Sequence, residues 1–80
     1  MKAYVLVKFD PQADLSKASH ALMEPGVEKM DLVFGNWDAV AFVVADDMAA
    51  LSRLSAKIRK CPGIIDSVTY PVIPAESMSG

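Results

Sequence analysis

The chain opens with Lys2 to Phe9, a run of β-branched, aromatic and aliphatic residues that contains no glycine or proline and is closed by Asp10-Pro11. That combination predicts a strand ended by a turn. From Asp14 the apolar spacing becomes helical, with Leu15, Ala18, Leu22 and Met23 on one face and Ser16, Lys17 and His20 elsewhere. Asp14 is placed to accept from the free amides of the first turn, and Glu24-Pro25-Gly26 stops the helix. Val27 to Phe34 predicts a second strand, Gly35-Asn36-Trp37-Asp38 a four-residue turn, and Ala39 to Ala45 a third strand, which makes a β-hairpin. Asp46-Asp47 then supplies an N-cap for a second helix with Met48, Leu51, Leu54 and Ile58 as its apolar stripe. Lys57, Arg59 and Lys60 occupy its last turn, where the helix dipole favours cations. Cys61-Pro62-Gly63 ends that helix and Ile64 to Ile73 predicts a fourth strand, whose Pro71 lacks an amide donor and so marks an edge or a bulge. Residues 74–80 read as a loose tail.

The predicted order is β-α-β-β-α-β, and it repeats itself: Pro25-Gly26-Val27 returns 37 residues later as Pro62-Gly63-Ile64. Two interleaved βαβ units give the α+β, ferredoxin-like arrangement, a four-stranded antiparallel sheet with both helices on one face. The strands that should alternate do not. In the first, Ala3, Val5, Val7 and Phe9 share one face and Tyr4 and Leu6 the other; in the third, Ala39, Ala41 and Val43 oppose Val40, Phe42 and Val44. A sheet with one wet face alternates apolar with polar, so these strands read as covered on both sides. Two helices cover one side, and a second copy of the chain is expected on the other, as a dimeric α/β sandwich.

Composition supports that expectation. The 80 residues make one domain, 52% of them hydrophobic, and the single cysteine, Cys61, excludes an internal disulfide and a cysteine-rich zinc site. A small domain without such a staple gains stability from a partner. The longest apolar run, Ala39 to Ala45, is seven residues, against roughly 20 for a membrane-spanning helix. The N-terminal apolar stretch is too short for a secretory signal, so a cytoplasmic home is expected. A net charge of −2 with no dense basic cluster argues against direct nucleic-acid binding.

With these segments in place, the sequence resembles the effector-binding (RAM) domain of the Lrp/AsnC family over about residues 2 to 73. The resemblance is carried by Pro25-Gly26-Val27, Gly35-Asn36-Trp37-Asp38, Asp47 with Leu51, Leu54 and Ile58, Pro62-Gly63-Ile64, and Ser67-Val68-Thr69, in that order and spacing. It implies residues 1–73 as a ligand-binding domain with a tail at 74–80, in the stand-alone form without the helix-turn-helix that longer family members carry. It also implies homodimers closing into a larger oligomer such as an octameric ring, an amino-acid effector held between dimers, and association with full-length family regulators. No cofactor or metal is implied. Carried over by position, the ligand-binding candidates are Gly35, Asn36, Trp37 and Asp38 of the hairpin and Ser67 and Thr69 of the last strand. A carboxylate can hold an α-ammonium, while hydroxyls and free amides beside a glycine can hold an α-carboxylate.

Each candidate also has a plainer reading. Gly35 and Asp38 are ordinary turn formers, Trp37 at a hairpin tip suits a contact between subunits, and Ser67 and Thr69 fit a strand without further role. His20 lies on the polar side of the first helix. Cys61 stands at a helix C-terminal end, where the dipole does not activate a thiol. Met23, Met30 and Met48 read as filler of a core or an interface, and Asp46-Asp47 as a helix start. Two alternatives remain open: a cofactor-free monooxygenase of the same topology, and an oligomerisation module that binds no ligand.

Overall fold

A computed structural model describes residues 1–75. Its elements are β1 (Lys2–Phe9), α1 (Leu15–Ala21), β2 (Val27–Leu32), β3 (Ala39–Val44), α2 (Met48–Arg59) and β4 (Ile64–Pro71). The strands form one antiparallel sheet in the order β2-β3-β1-β4, the ferredoxin-like arrangement expected. The tail predicted at 74–80 lies outside the described residues from 76 onward.

β1 is a central strand, paired with β3 on one side and β4 on the other. Ala3, Val5, Val7 and Phe9 of β1 and Ala39, Ala41 and Val43 of β3 are buried beneath the helices. Small alanines across β3 let Leu22 at the end of α1 and Leu51, Leu54 and Ile58 of α2 pack down onto this face. Both helices start as anticipated: the Asp14 carboxylate accepts from Ser16 and Lys17 N–H, and that of Asp47 from Ala50 N–H at 2.8 Å. Only part of each predicted stripe is inside, because Leu15, Met23 and Met48 are exposed. α1 is two turns long and turns only Ala18 of its own residues fully inward, so its flanking positions are left to solvent.

Two bulges set details that alternation does not show. The register between β2 and β3 shifts at Val27/Lys29, so both Val27 and Met30 pair with inward-facing residues of β3 while Lys29 and Asp31 stay outside. A second shift between Lys8 and Phe9 leaves Ile65 unpaired and exposed. An extra residue in one strand reverses the side-chain phase beyond it. The second strand stops at Leu32, so the connection to β3 spans residues 33–38 instead of the predicted four; Val33 and Phe34 belong to it and are exposed. Ala45 falls just beyond β3, and β4 ends at Pro71, on the edge strand its proline required, instead of at Ile73.

The first Pro-Gly turn is a close-packed joint. Gly26 has φ +102°, and a Cβ there would stand 3.1 Å from Leu54 Cδ2 and 3.2 Å from the Val44 carbonyl oxygen. Gly26→Ala is therefore expected to lower stability by about 1–3 kcal/mol. Asp47→Ala, which removes only a cap, should cost about 1 kcal/mol. Urea midpoints at unchanged slope check both.

Candidate ligand site

The candidates fall in two places. The connection from β2 to β3 closes against the end of β1: Asp38 N–H donates to Val7 O, Val33 N–H donates to Asp38 O, and Asp38 Oδ2 accepts from Phe9 N–H, each at 2.9 Å. The Asp38 carboxylate thus stands in for the strand partner that β1 loses where β3 has ended. It borders a hollow of about 580 Å³ whose walls include Pro11, Leu15, Leu32, Phe34 and Asp10. Phe34 is wholly exposed there. Gly35, Asn36 and Trp37 are not among the residues lining that hollow. Gly35 has φ +135° with open space where a side chain would be, so its backbone conformation, and not crowding, calls for glycine. Trp37 is half-buried.

Ser67 and Thr69 lie on β4, on the other side of β1. Ser67 and Ala39 both pair with Val7 from opposite sides, which sets them two strand spacings apart, about 10 Å. Thr69 Oγ1 is 2.9 Å from Ser55 Oγ of α2. Both β4 residues line a separate groove of about 500 Å³ between α2 and β4. No residue borders both hollows. Within one copy of the chain, then, the hairpin candidates gather at one end of the sheet and the β4 candidates under α2.

Sequence reading did not single out Asp10, which lines the hollow with Asp38, or Ser55 and Arg59, which line the groove with Thr69 and Ser67. Ser55 carries a signal that spacing offers: it follows Leu51 by four residues in the stripe Leu51, Leu54, Ser55, Ile58, a hydroxyl where an aliphatic side chain is usual. His20 is exposed. Cys61 is buried, and its thiol donates toward Ala21 O at 3.2 Å and Lys57 O at 3.4 Å, tying the ends of α1 and α2. No group of three or more metal-binding side chains occurs among the described residues. No helix is long and apolar enough to cross a membrane among them.

The fold defines a four-stranded α+β domain with a helix layer on one face, and comparison with known proteins places it further. The profile of the Lrp/AsnC ligand binding domain matches residues 2–79, and the chain belongs to that family. A helix-turn-helix-type transcriptional regulator of Pyrococcus horikoshii is 31% identical over 71 residues, covering 84% of this chain and 47% of its own length. The chain therefore spans about half of that relative. The crystal structure of FFRP-DM1 superposes with a TM-score of 0.77 at 26% identity, over 90% of this chain and 97% of its own. A Thermus thermophilus protein gives 0.82 at 24%, over 92% and 94%. An AsnC family transcriptional regulator from Agrobacterium tumefaciens gives 0.75 at 18%, over 96% of this chain and 58% of its own. The last two likenesses speak for the fold alone.

Two expectations follow from the geometry. Asp38→Ala should destabilise the domain by about 1–3 kcal/mol, because the half-buried Phe9 N–H loses its acceptor. Asp38→Asn, which keeps an oxygen there, should cost less; equal urea midpoints for the two variants would remove the structural role. Burial raises the Cys61 thiol above its ordinary value, and the negative charge of Glu24 adds to the rise. The folded state then holds this proton more tightly than the unfolded chain, so Cys61 favours folding less as pH climbs past the ordinary thiol value of about 8.5. Iodoacetamide should alkylate the native protein with a pH profile displaced upward from that of the urea-unfolded chain, and coincident profiles would refute the shift.

Proposed function

We propose that this domain is a non-catalytic cytoplasmic sensor: it binds a small molecule, an amino acid, and through its oligomers reports that occupancy to the transcriptional regulation of amino-acid metabolism. The observation that carries the reading is the match to a ligand-binding domain family across residues 2–79, from a family whose longer relatives are transcriptional regulators. The hairpin supports a role for Asp38 as holder of an ammonium group. One carboxylate oxygen serves Phe9 N–H, and the other is left for a ligand. Gly35, Asn36 and Trp37 form the rest of that edge, and Ser67 and Thr69 offer hydroxyls for the carboxylate end, contributed across an interface between copies.

Assembly through the open sheet face supports the same reading. Tyr4, Leu6, Val40, Phe42, Val68 and Tyr70 stand on the side away from the helices, and the Tyr4 and Phe42 rings pack with centroids 5.3 Å apart. Lys2, Lys8, Lys29, Asp31 and Asp66 surround them on the same face. An apolar centre inside a charged rim is the anatomy of a protein interface. A second copy placed there gives the sandwich dimer, and further contacts close the dimers into a ring, with full-length family regulators as further partners. No observation favours the monooxygenase alternative, whose single histidine candidate, His20, is exposed on α1.

A thermal-shift screen against the twenty L-amino acids tests the ligand. An amino acid at ten times its Kd adds about 1.4 kcal/mol, which is several degrees in a domain of this size. At least one is expected to raise Tm, and Asp38→Asn should abolish that shift while leaving the oligomer intact; silence from all twenty would sink the amino-acid assignment. Sedimentation velocity tests the assembly. The protein should run as a dimer or larger at micromolar concentration and Phe42→Asp as a folded monomer, whereas a monomeric wild type would overturn the sandwich.

A further inference from the structure

We infer that the open face of the sheet is a self-recognition surface with one orientation, in which Lys29 and Asp31 of β2 select a second copy of this chain laid antiparallel across it. This rests on the reading of the sandwich dimer, and adds to it how the two copies meet and which side chains choose the partner. Strand register sorts the open face into rows that run across the strands. Phe42, Tyr4 and Tyr70 are neighbours on β3, β1 and β4 and make an aromatic row. Two residues along, Val40, Leu6 and Val68 make an aliphatic row on the same three strands. The β2 end of each row carries one charge, for Lys29 pairs with Phe42 and Asp31 with Val40.

Two identical sheets face each other about a two-fold axis that runs either along the strands or across them. An axis along the strands sets aromatic row on aromatic row and aliphatic on aliphatic, so the layer between the sheets is crowded at one row and empty at the next. It also carries β2 over β4 or past the sheet edge, and β4 holds only Tyr70 and Val68 in these rows. An axis across the strands, between the two rows, exchanges them. Each aromatic ring then stands over an aliphatic side chain of the other copy, and large against small lets the layers interdigitate at the spacing of about 10 Å between packed sheets. The same rotation keeps β2 over β2 and lays Lys29 over Asp31 of the facing copy, twice by symmetry. Shape and charge are satisfied by one operation, although the rows belong to β1, β3 and β4 and the charges to β2.

Within one copy Lys29 Nζ and the Asp31 carboxylate are 3.5 Å apart and well exposed, a pair that adds little by itself. In the facing dimer they become four alternating charges at the rim, where a partner with a single sign on this edge is repelled. The other charges that register places on this face are Lys2, Lys8 and Asp66. Exchange of the rows sets Lys2 against Lys8 of the facing copy, and Asp66, the cross-strand neighbour of Lys8, offsets that contact.

Charge exchange tests the orientation. Lys29→Glu makes this edge wholly acidic and Asp31→Lys makes it wholly basic, both at exposed positions. In a sedimentation dilution series each variant alone is expected to self-associate about tenfold or more weakly than wild type, since two attractive pairs become repulsive. An equimolar mixture, with one variant ¹⁵N-labelled, should give native mass spectra in which oligomers holding equal numbers of the two exceed random pairing. Lys29→Glu and Asp31→Lys in one chain reverse the order without breaking it, and should recover wild-type self-association. Random pairing in the mixture, or a double variant no stronger than the single ones, overturns the orientation. If Phe42→Asp then still converts a wild-type dimer into a folded monomer, the sandwich stands and only its orientation falls. A wild type that is monomeric at micromolar concentration removes both.

Discussion

A sheet has two faces, and this chain has helices for one of them. The rest of the structure follows from that imbalance. Burying Val5, Val7 and Val43 under Leu22, Leu51 and Ile58 gathers the largest fully enclosed side chains of the domain into one layer, and each such side chain contributes about 1.5–3 kcal/mol when removed from water. Nothing in the described chain does the same for Tyr4, Phe42 and Tyr70 on the opposite side. These residues hold the same order of unused burial energy, which is why a facing subunit is a better account of them than chance exposure. Lys2, Lys8, Lys29, Asp31 and Asp66 ring that face, and in the proposed facing dimer their charges would set its register.

The same economy shapes the ends of the sheet. β1 is longer than β3, so its last amide, that of Phe9, has no strand carbonyl to meet. Asp38 supplies an oxygen instead. A residue that family resemblance marks as a ligand contact is therefore also a structural cap through one oxygen of its carboxylate, and the proposed ligand role would draw on the other. This is the physical reason an alanine substitution alone does not separate them, while asparagine, which retains an acceptor and loses the charge, does.

Much of this was legible in the chain. The six elements, their order, both aspartate caps and the position of Pro71 on an edge strand all come from local rules: apolar period, turn dipeptides and the missing proline donor. The errors lie where a local rule meets a long-range one. Phe34 and Val33 have strand composition, but β3 has no residue left to pair with them once the connection closes on Val7 and Asp38. Met48 and Leu15 have helix-core spacing but sit at helix starts that overhang the sheet, so the apolar stripe extends beyond anything it can pack against.

The candidate site divides along the same line. Residue types at Gly35, Asp38, Ser67 and Thr69 were readable as chemistry, because carboxylates, hydroxyls and a turn glycine have the same capacities wherever they stand. Their separation was not readable. Only strand order puts the hairpin and β4 on opposite sides of β1, and only the packing of α2 on β4 brings Ser55 and Arg59 to Thr69 and Ser67. The sequence by itself determined the elements, the cap residues and an excess of apolar surface, since these depend on neighbours a few positions away. The tertiary structure decided the bulge phases, the partner of Asp38 and the company of Ser67, since these depend on residues far along the chain that only the fold brings within hydrogen-bond reach.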